Sequence, residues 1–259
     1  MANKEINTKG IVIREVMLGE ADKLLTVLTP ELGKITVRCR GVRTLKSHRF
    51  AAAQLYIYSD MVLSEKDGMY SLSEAEPIES FFDIRLRLEA IACGDYFADL
   101  VNTVMLEGEG DAEIMRLFLN SLYALAYRRE LSVTLIKAVF EARLAALLGF
   151  MPDLTAACAS CGGEGKEPAF LDVAGGEMLC RDCALSASGS FDGGERLLLP
   201  VNASVVSLFS YVATCEVKRI FAFGVEDEAL DLFSRLAERY LLYHIDKKPD
   251  TLTFLLSVL

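Results

Sequence analysis

Four of the seven cysteines stand in two Cys-x-x-Cys pairs, Cys158 with Cys161 and Cys180 with Cys183, and eighteen residues separate the pairs. Thiolates are metal ligands, and at this spacing two tight knuckles can present four sulfurs to one tetrahedral ion. Zinc is the expected ion. An iron site of the rubredoxin kind stays open, although neither knuckle reads Cys-Pro-x-Cys-Gly. Redox-active or merely buried cysteine pairs also stay open. Four thiolates leave no ligand position for water or substrate, so the expected role is structural. Gly162-Gly163 follows the first knuckle and Gly175-Gly176 precedes the second, where the chain must turn close to sulfur. The deaminase pattern, a His or Cys with a Glu and then Pro-Cys-x-x-Cys, is absent.

A second group of residues suits a different chemistry. Lys34, Arg38, Arg40, Arg43, Lys46 and Arg49 fall within sixteen positions. A strand with one basic face, continued by a basic loop, can track a phosphate backbone. The whole chain carries a net charge of −10, but the charge is uneven. Ten of the first fifty residues are Lys or Arg and five are Asp or Glu, a surplus of five, which leaves an excess of fifteen acidic residues in the remainder. A basic front end on an acidic body can receive a polyanion at one end only. Tyr56 and Tyr58 are candidate base-stacking platforms, with ordinary core or rim packing as the alternative. For the basic run the alternative is a solvated strand face.

Other chemistries lack their residues. There is no Gly-x-x-x-x-Gly-Lys-[Ser/Thr], Gly-x-Gly-x-x-Gly or Gly-x-Ser-x-Gly, and the two histidines, His48 and His244, do not build a triad. No nucleotide cofactor is expected, and a binding protein is favoured over an enzyme. Cys39, Cys93 and Cys215 lie among apolar neighbours, as buried free thiols do, so an extracellular disulfide framework is not expected. No run of eighteen apolar residues and no apolar signal core occur, which leads to the expectation of a cytoplasmic protein without a membrane segment.

These residues must be positioned by two kinds of element. Ile11–Met17, Leu24–Thr29, Lys34–Arg40, Leu55–Leu63 and Met69–Ser73 read as strands, with turns at Pro30-Glu31-Leu32-Gly33 and Asp67-Gly68. In the third, Ile35, Val37 and Cys39 face one way and the basic residues the other. In the fourth, Tyr56 and Tyr58 share a face opposite Leu55 and Ile57. Five short strands in about eighty residues fit a small barrel, of which the OB-fold is one form. From about Ile78 the period becomes helical. Asp111, Ser132 and Asn202 are expected helix caps, Glu107-Gly108-Glu109-Gly110 a break, and a last helix stops before Pro249. Ser186–Gly194 reads as a linker. The expected class is α+β and multidomain: a five-stranded barrel at 1–80, an all-α domain at 81–154 and 193–259, and a four-cysteine zinc module inserted at 155–192.

In order and spacing the chain resembles the bacterial RecO family over essentially its full length. The matching stretches are Glu20-Ala-Asp-Lys-Leu-Leu-Thr-Val-Leu-Thr29, Gly33-Lys34, Gly41-Val42-Arg43 through Lys46-Ser47, and Arg85-Leu-Arg-Leu with Tyr96. They continue with Leu148-Gly149-Phe150-Met151-Pro152 into Cys158-Ala-Ser-Cys161-Gly162, Gly175-Gly176, and Pro200-Val-Asn-Ala-Ser204. The resemblance implies an N-terminal OB-fold, a helical domain and a zinc module with Cys158, Cys161, Cys180 and Cys183 as ligands. It also implies a non-enzymatic mediator of DNA repair and homologous recombination in the RecF pathway. Such a protein binds single- and double-stranded DNA and anneals complementary strands. It pairs with RecR and helps load RecA onto DNA covered by single-strand-binding protein, whose C-terminal tail is an expected partner. Nucleoid association would follow. An RNA-binding factor of transcription or translation, with a zinc ribbon and an OB-fold, is the alternative reading.

Overall fold

The computed structural model describes residues 4–44, 47–154, 157–163, 168–187 and 197–259. Lys46 and most of the expected linker lie outside the described residues. Two compact units are present. One runs to Arg129 and takes in Thr251–Val258; the other spans Glu130–Asp250.

In the first unit β1 (Lys4–Leu18), β2 (Asp22–Thr29), β3 (Gly33–Cys39), β4 (Tyr58–Lys66) and β5 (Met69–Glu79) close into a barrel of order β1-β2-β3-β5-β4. All neighbours are antiparallel except β3 and β5, where Val37 lies beside Tyr70 and Arg38 beside Ser71. This five-stranded arrangement is that of an OB-fold. The interior is filled by Val12, Leu25, Val27, Ile35, Val37, Cys39, Met61, Leu63 and Leu72. In β1 the period of two breaks: Ile11, Val12 and Ile13 are all buried, because a register shift between Val12 and Arg14 turns the strand.

The fourth strand begins later than its sequence suggests. Residues 48–56 form turns, and Tyr56 sits at φ 61. Tyr56 and Tyr58 therefore do not share a strand face.

Two helices complete the packing around the barrel, α1 (Leu88–Val104) and α2 (Ala112–Tyr127). The glycine-rich break between them docks on the β2–β3 turn. Lys34 N–H donates to the Leu106 carbonyl at 3.3 Å and Gly108 N–H to that of Leu32 at 3.1 Å. The approach is close enough to demand glycine: a Cβ on Gly33 would lie 2.2 Å from the Glu109 carbonyl oxygen, and one on Gly110 2.1 Å from that of Pro30. These contacts tie α1 and α2 to the barrel although the sequence period changes at Ile78.

The second unit contains α3 (Val133–Leu147), β6 (Pro168–Asp172), β7 (Glu177–Cys180), α4 (Arg181–Ala187), β8 (Leu198–Pro200), α5 (Ala203–Thr214) and α6 (Asp227–Ile245). A short three-stranded sheet runs β7-β6-β8. Helix α3 packs on α5 and α6 and is buried on nearly every side. Its charged residues are therefore paired within the core: Lys137, 1 % exposed, meets Glu141 at 2.9 Å and Glu238 at 2.6 Å. The expected caps form. Asp111 accepts from the N–H groups of Glu113 and Ile114, Ser132 from that of Leu135 and Asn202 from that of Val205, each worth about 1 kcal/mol. A helix beyond Pro249, not expected from the sequence, follows as α7 (Asp250–Val258) and joins the first unit through Thr251, whose hydroxyl donates to Asp99 at 3.1 Å.

Candidate metal centre and nucleic-acid face

The cysteines converge by short-range geometry. The first knuckle turns at Ala159 and Ser160, with Gly162 N–H donating to the Cys158 carbonyl at 2.8 Å and Gly162 at φ +60. The second follows the β6–β7 hairpin: Cys180 ends β7 and Cys183 lies in the first turn of α4. Ala159 N–H donates to the Met178 carbonyl at 2.9 Å, which joins the knuckles. All four sulfurs lie within 4.8 Å of one another, and Cys161 Sγ is 4.0 Å from Cys180 Sγ. A tetrahedral zinc with bonds of about 2.3 Å separates its sulfurs by about 3.8 Å, so the donor set fits such an ion. A disulfide, at about 2.05 Å, is much shorter. Among the described residues this is the one group of three or more His, Cys, Asp or Glu side chains placed to hold an ion.

Burial opposes charge at Cys158, but backbone N–H groups of Cys180, Cys161 and Ser160 draw its thiol down to about 6. At Cys183 the Ser160 hydroxyl acts in the same sense, yet the sulfurs of Cys180 and Cys161 push it up to about 12. Four sulfurs so close share negative charge poorly without a cation between them. Leu179, Ala184, Phe170 and Leu198 pack behind the cluster.

The basic residues are sorted by their partners. Lys34 turns toward α1 and donates to the Asn102 carbonyl at 2.7 Å. Arg49 is half-buried and joins β5 to the residue that follows β3, donating to the Leu72 carbonyl at 2.5 Å and to that of Arg40 at 3.1 Å. The sequence offers both as phosphate contacts; in the structure both are engaged by backbone oxygen instead. Arg38 is exposed on the outer face of β3 and pairs with Asp22 at 3.0 Å. Gly41 N–H and the Arg38 guanidinium together keep the Asp22 carboxyl below its usual range. Arg43 is exposed and donates to the Gly19 carbonyl at 3.2 Å. Arg40 is exposed at the end of β3. Thus Arg38, Arg40 and Arg43 come together beside the β1–β2 hairpin.

The two tyrosines differ, and the structure corrects the first of them. Tyr56 is 2 % exposed, and its hydroxyl donates to Asp95 while its ring packs edge-on to Phe118. Burial first, and the Asp95 charge second, raise its pKa well above the ordinary value. It cannot stack on a base. Tyr58 is half-buried in β4 and neighbours Asp60 and Glu31, a setting that repels phosphate.

Arg14 is a candidate that sequence reasoning missed. The register places Arg14 opposite Thr26, and Thr26 opposite Thr36; the next outward row is Val16, Leu24 and Arg38. Exposed Arg14 therefore shares the outer β1–β3 face with Arg38. The β1 bulge hides this from a simple alternation count.

Two family models span this architecture. "Recombination protein O N terminal" matches residues 1–81, and "Recombination protein O C terminal" matches residues 85–253. The chain belongs to the RecO family. The interval between the RecO matches falls at the 3-10 turn Phe82–Leu86, just after the barrel's last strand. Among RecO relatives, the DNA repair protein RecO of Acetivibrio thermocellus is 32% identical over 250 residues, covering 96% of each chain. Those of Alkaliphilus metalliredigens and Caldicellulosiruptor saccharolyticus are 27% and 28% identical, covering 93% and 97% of this chain and 94% and 98% of their own. No helix among the described residues of this RecO chain is long and apolar enough to cross a membrane.

Proposed function

We propose that this RecO-family chain acts in DNA repair and homologous recombination as a mediator without catalytic chemistry of its own. It binds single- and double-stranded DNA on the barrel, speeds annealing of complementary strands, and with RecR helps load RecA on DNA covered by single-strand-binding protein. The observation that carries the DNA-binding reading is the exposed cluster of Arg38, Arg40 and Arg43 at one end of an OB barrel. OB-folds bind oligonucleotides on the β2–β3 face and the adjoining loops, and the cluster lies there.

The mechanism follows from Coulomb repulsion. Two strands approaching each other bring two rows of phosphates together. Guanidinium groups that neutralise one row lower that repulsion and release counterions. Arg38 must exchange Asp22 for phosphate, so it engages late; Arg40 and Arg43 engage first. Cys158, Cys161, Cys180 and Cys183 would hold a zinc ion whose chemistry is structural, a closed tetrahedral cross-link. Work on chromosomal DNA would place the protein in the cytoplasm, at the nucleoid.

The test is an annealing assay on complementary strands coated with single-strand-binding protein, with and without RecR. Charge reversal at Arg40 and Arg43 should slow annealing and flatten the salt dependence of DNA binding. Unchanged annealing with an unchanged salt slope would overturn the reading.

A further inference from the structure

A barrel that handles single strands needs something that recognises open bases as well as phosphate. Four aromatic residues occur in the first eighty positions: Phe50, Tyr56, Tyr58 and Tyr70. Tyr56 is buried on Asp95, and Tyr58 stands beside two carboxylates. Tyr70 is half-buried against the barrel core. Strands β1, β2 and β3 contain no aromatic residue. Phe50 remains, 48 % exposed.

One paired cation lies beside it and its backbone is fixed. The Lys23 ammonium lies 5.8 Å from the ring centroid, and Lys23 itself is anchored by Glu15 at 2.7 Å and the Ala53 carbonyl at 3.1 Å. Phe50 N–H donates to the Ser47 carbonyl at 3.1 Å, and the Gln54 side chain donates to the Phe50 carbonyl at 3.0 Å. The preceding residue, Arg49, ties this turn to the Arg40 carbonyl. An exposed ring is thereby fastened next to the strand end that carries the exposed guanidiniums. A side chain on a held backbone loses little freedom when a base stacks on it.

We propose that Phe50 is the barrel's base-stacking platform for single-stranded DNA, with Arg40 and Arg43 taking the adjoining phosphates. The inference rests on the DNA-binding reading above. Phe50 also covers the Lys23 end of the barrel, a role that leucine fills as well; stacking requires an aromatic face.

The probes are oligothymidylate and an abasic phosphodiester oligomer of equal length, which offers phosphates without bases. Phe50→Leu and Phe50→Ala should each weaken oligothymidylate binding about tenfold, the size expected for the removal of one base stack. The salt slope and abasic binding should stay as in wild type, and Phe50→Leu should keep the wild-type melting temperature. Phe50→Trp supplies a direct signal, because the chain has no tryptophan. Its fluorescence should be quenched by oligothymidylate and left unchanged by the abasic oligomer. Wild-type affinity in Phe50→Leu, or equal quenching by both oligomers, would overturn the stacking role while leaving DNA binding intact. If wild-type protein holds neither oligomer, the DNA-binding reading fails and this one fails with it.

Discussion

At the cysteine cluster four acidic groups crowd within 4.8 Å of one another, and two of them, Cys158 and Cys180, are buried. At the basic end of the barrel the cations sit on β3 and in the turns that follow it, and each finds its own oxygen or stays in water. Ionised together, the four sulfurs would repel one another unless a cation lay between them; the lysines and arginines need no such partner. A knuckle is thus shaped for an ion by local geometry. A basic patch is committed only to the extent that its cations are not already engaged by the protein. The difference gives each region a different response to mutation, and the responses differ in size.

The largest effect is expected at the cysteine cluster, where the donor set fits a zinc ion. Structural zinc contributes on the order of 10 kcal/mol to the folding of small modules. Chelation, or Cys180→Ser, should abolish hydrogen-exchange protection across β6, β7 and α4 and leave the barrel strands protected. Metal analysis of the wild-type protein should give one zinc for each chain. Equal loss of protection in the barrel would break the contrast, because the knuckles would then not be a local device.

Next comes a charge set that neither region resembles. Lys137 and Glu141 are buried in α3, and Glu238 reaches them from α6. Removing one member of a buried ion pair typically costs about 3–5 kcal/mol, because the other charge stays desolvated. Lys137→Ala should lower stability by about that amount in a denaturant titration. A neutral result would mean that water or rearrangement reaches Glu141, and that burial does not separate this set from the exposed arginines.

A smaller effect separates the cations of the barrel from one another. Removing one phosphate-binding cation from a complex with single-stranded DNA lowers the salt slope by about 0.7. Arg40→Gln and Arg43→Gln should each do so, since both side chains are exposed, while Lys34→Gln should not, since its half-buried ammonium already serves the Asn102 carbonyl. Arg49→Gln should lower the melting temperature with the slope unchanged, since its guanidinium joins two backbone segments. A slope change in Lys34→Gln would show that the intramolecular bond yields to phosphate.

Legibility in the sequence follows the same division. The Cys-x-x-Cys spacing, the caps at Asp111, Ser132 and Asn202, and the β2 and β3 strands are local features, and local rules recover them. The fates of Lys34, Arg49 and Tyr56 are decided by partners distant in the chain: Asn102, Leu72 and Asp95. No alternation count can see those partners. Tyr56 adds a backbone obstacle, since a non-glycine residue at positive φ interrupts the strand that the residue pattern suggests. Helix α7 escapes the sequence reading for another reason. It is nine residues long and follows Pro249, which reads as a stop although proline also suits a helix start.

The smallest expected effect tests the one pair that joins both kinds of behaviour, Arg38 with Asp22. It is a protein-internal ion pair, yet Arg38 remains exposed enough to exchange partners. Exposed pairs contribute little to stability, so Asp22→Asn should lower the melting temperature only slightly at neutral pH. The folded carboxyl titrates below the 3.8 of the free group. Its contribution is therefore complete above that value and is lost as pH falls through the lower folded value. The gap in stability between wild type and Asp22→Asn should accordingly close as pH is taken below 3.8. DNA binding should move the other way: without its carboxylate partner, Arg38 is free for phosphate, and Asp22→Asn should bind oligothymidylate more tightly by less than about tenfold, with a steeper salt slope. Unaltered affinity and slope would mean that Arg38 does not reach DNA, and would confine the phosphate contacts to Arg40 and Arg43.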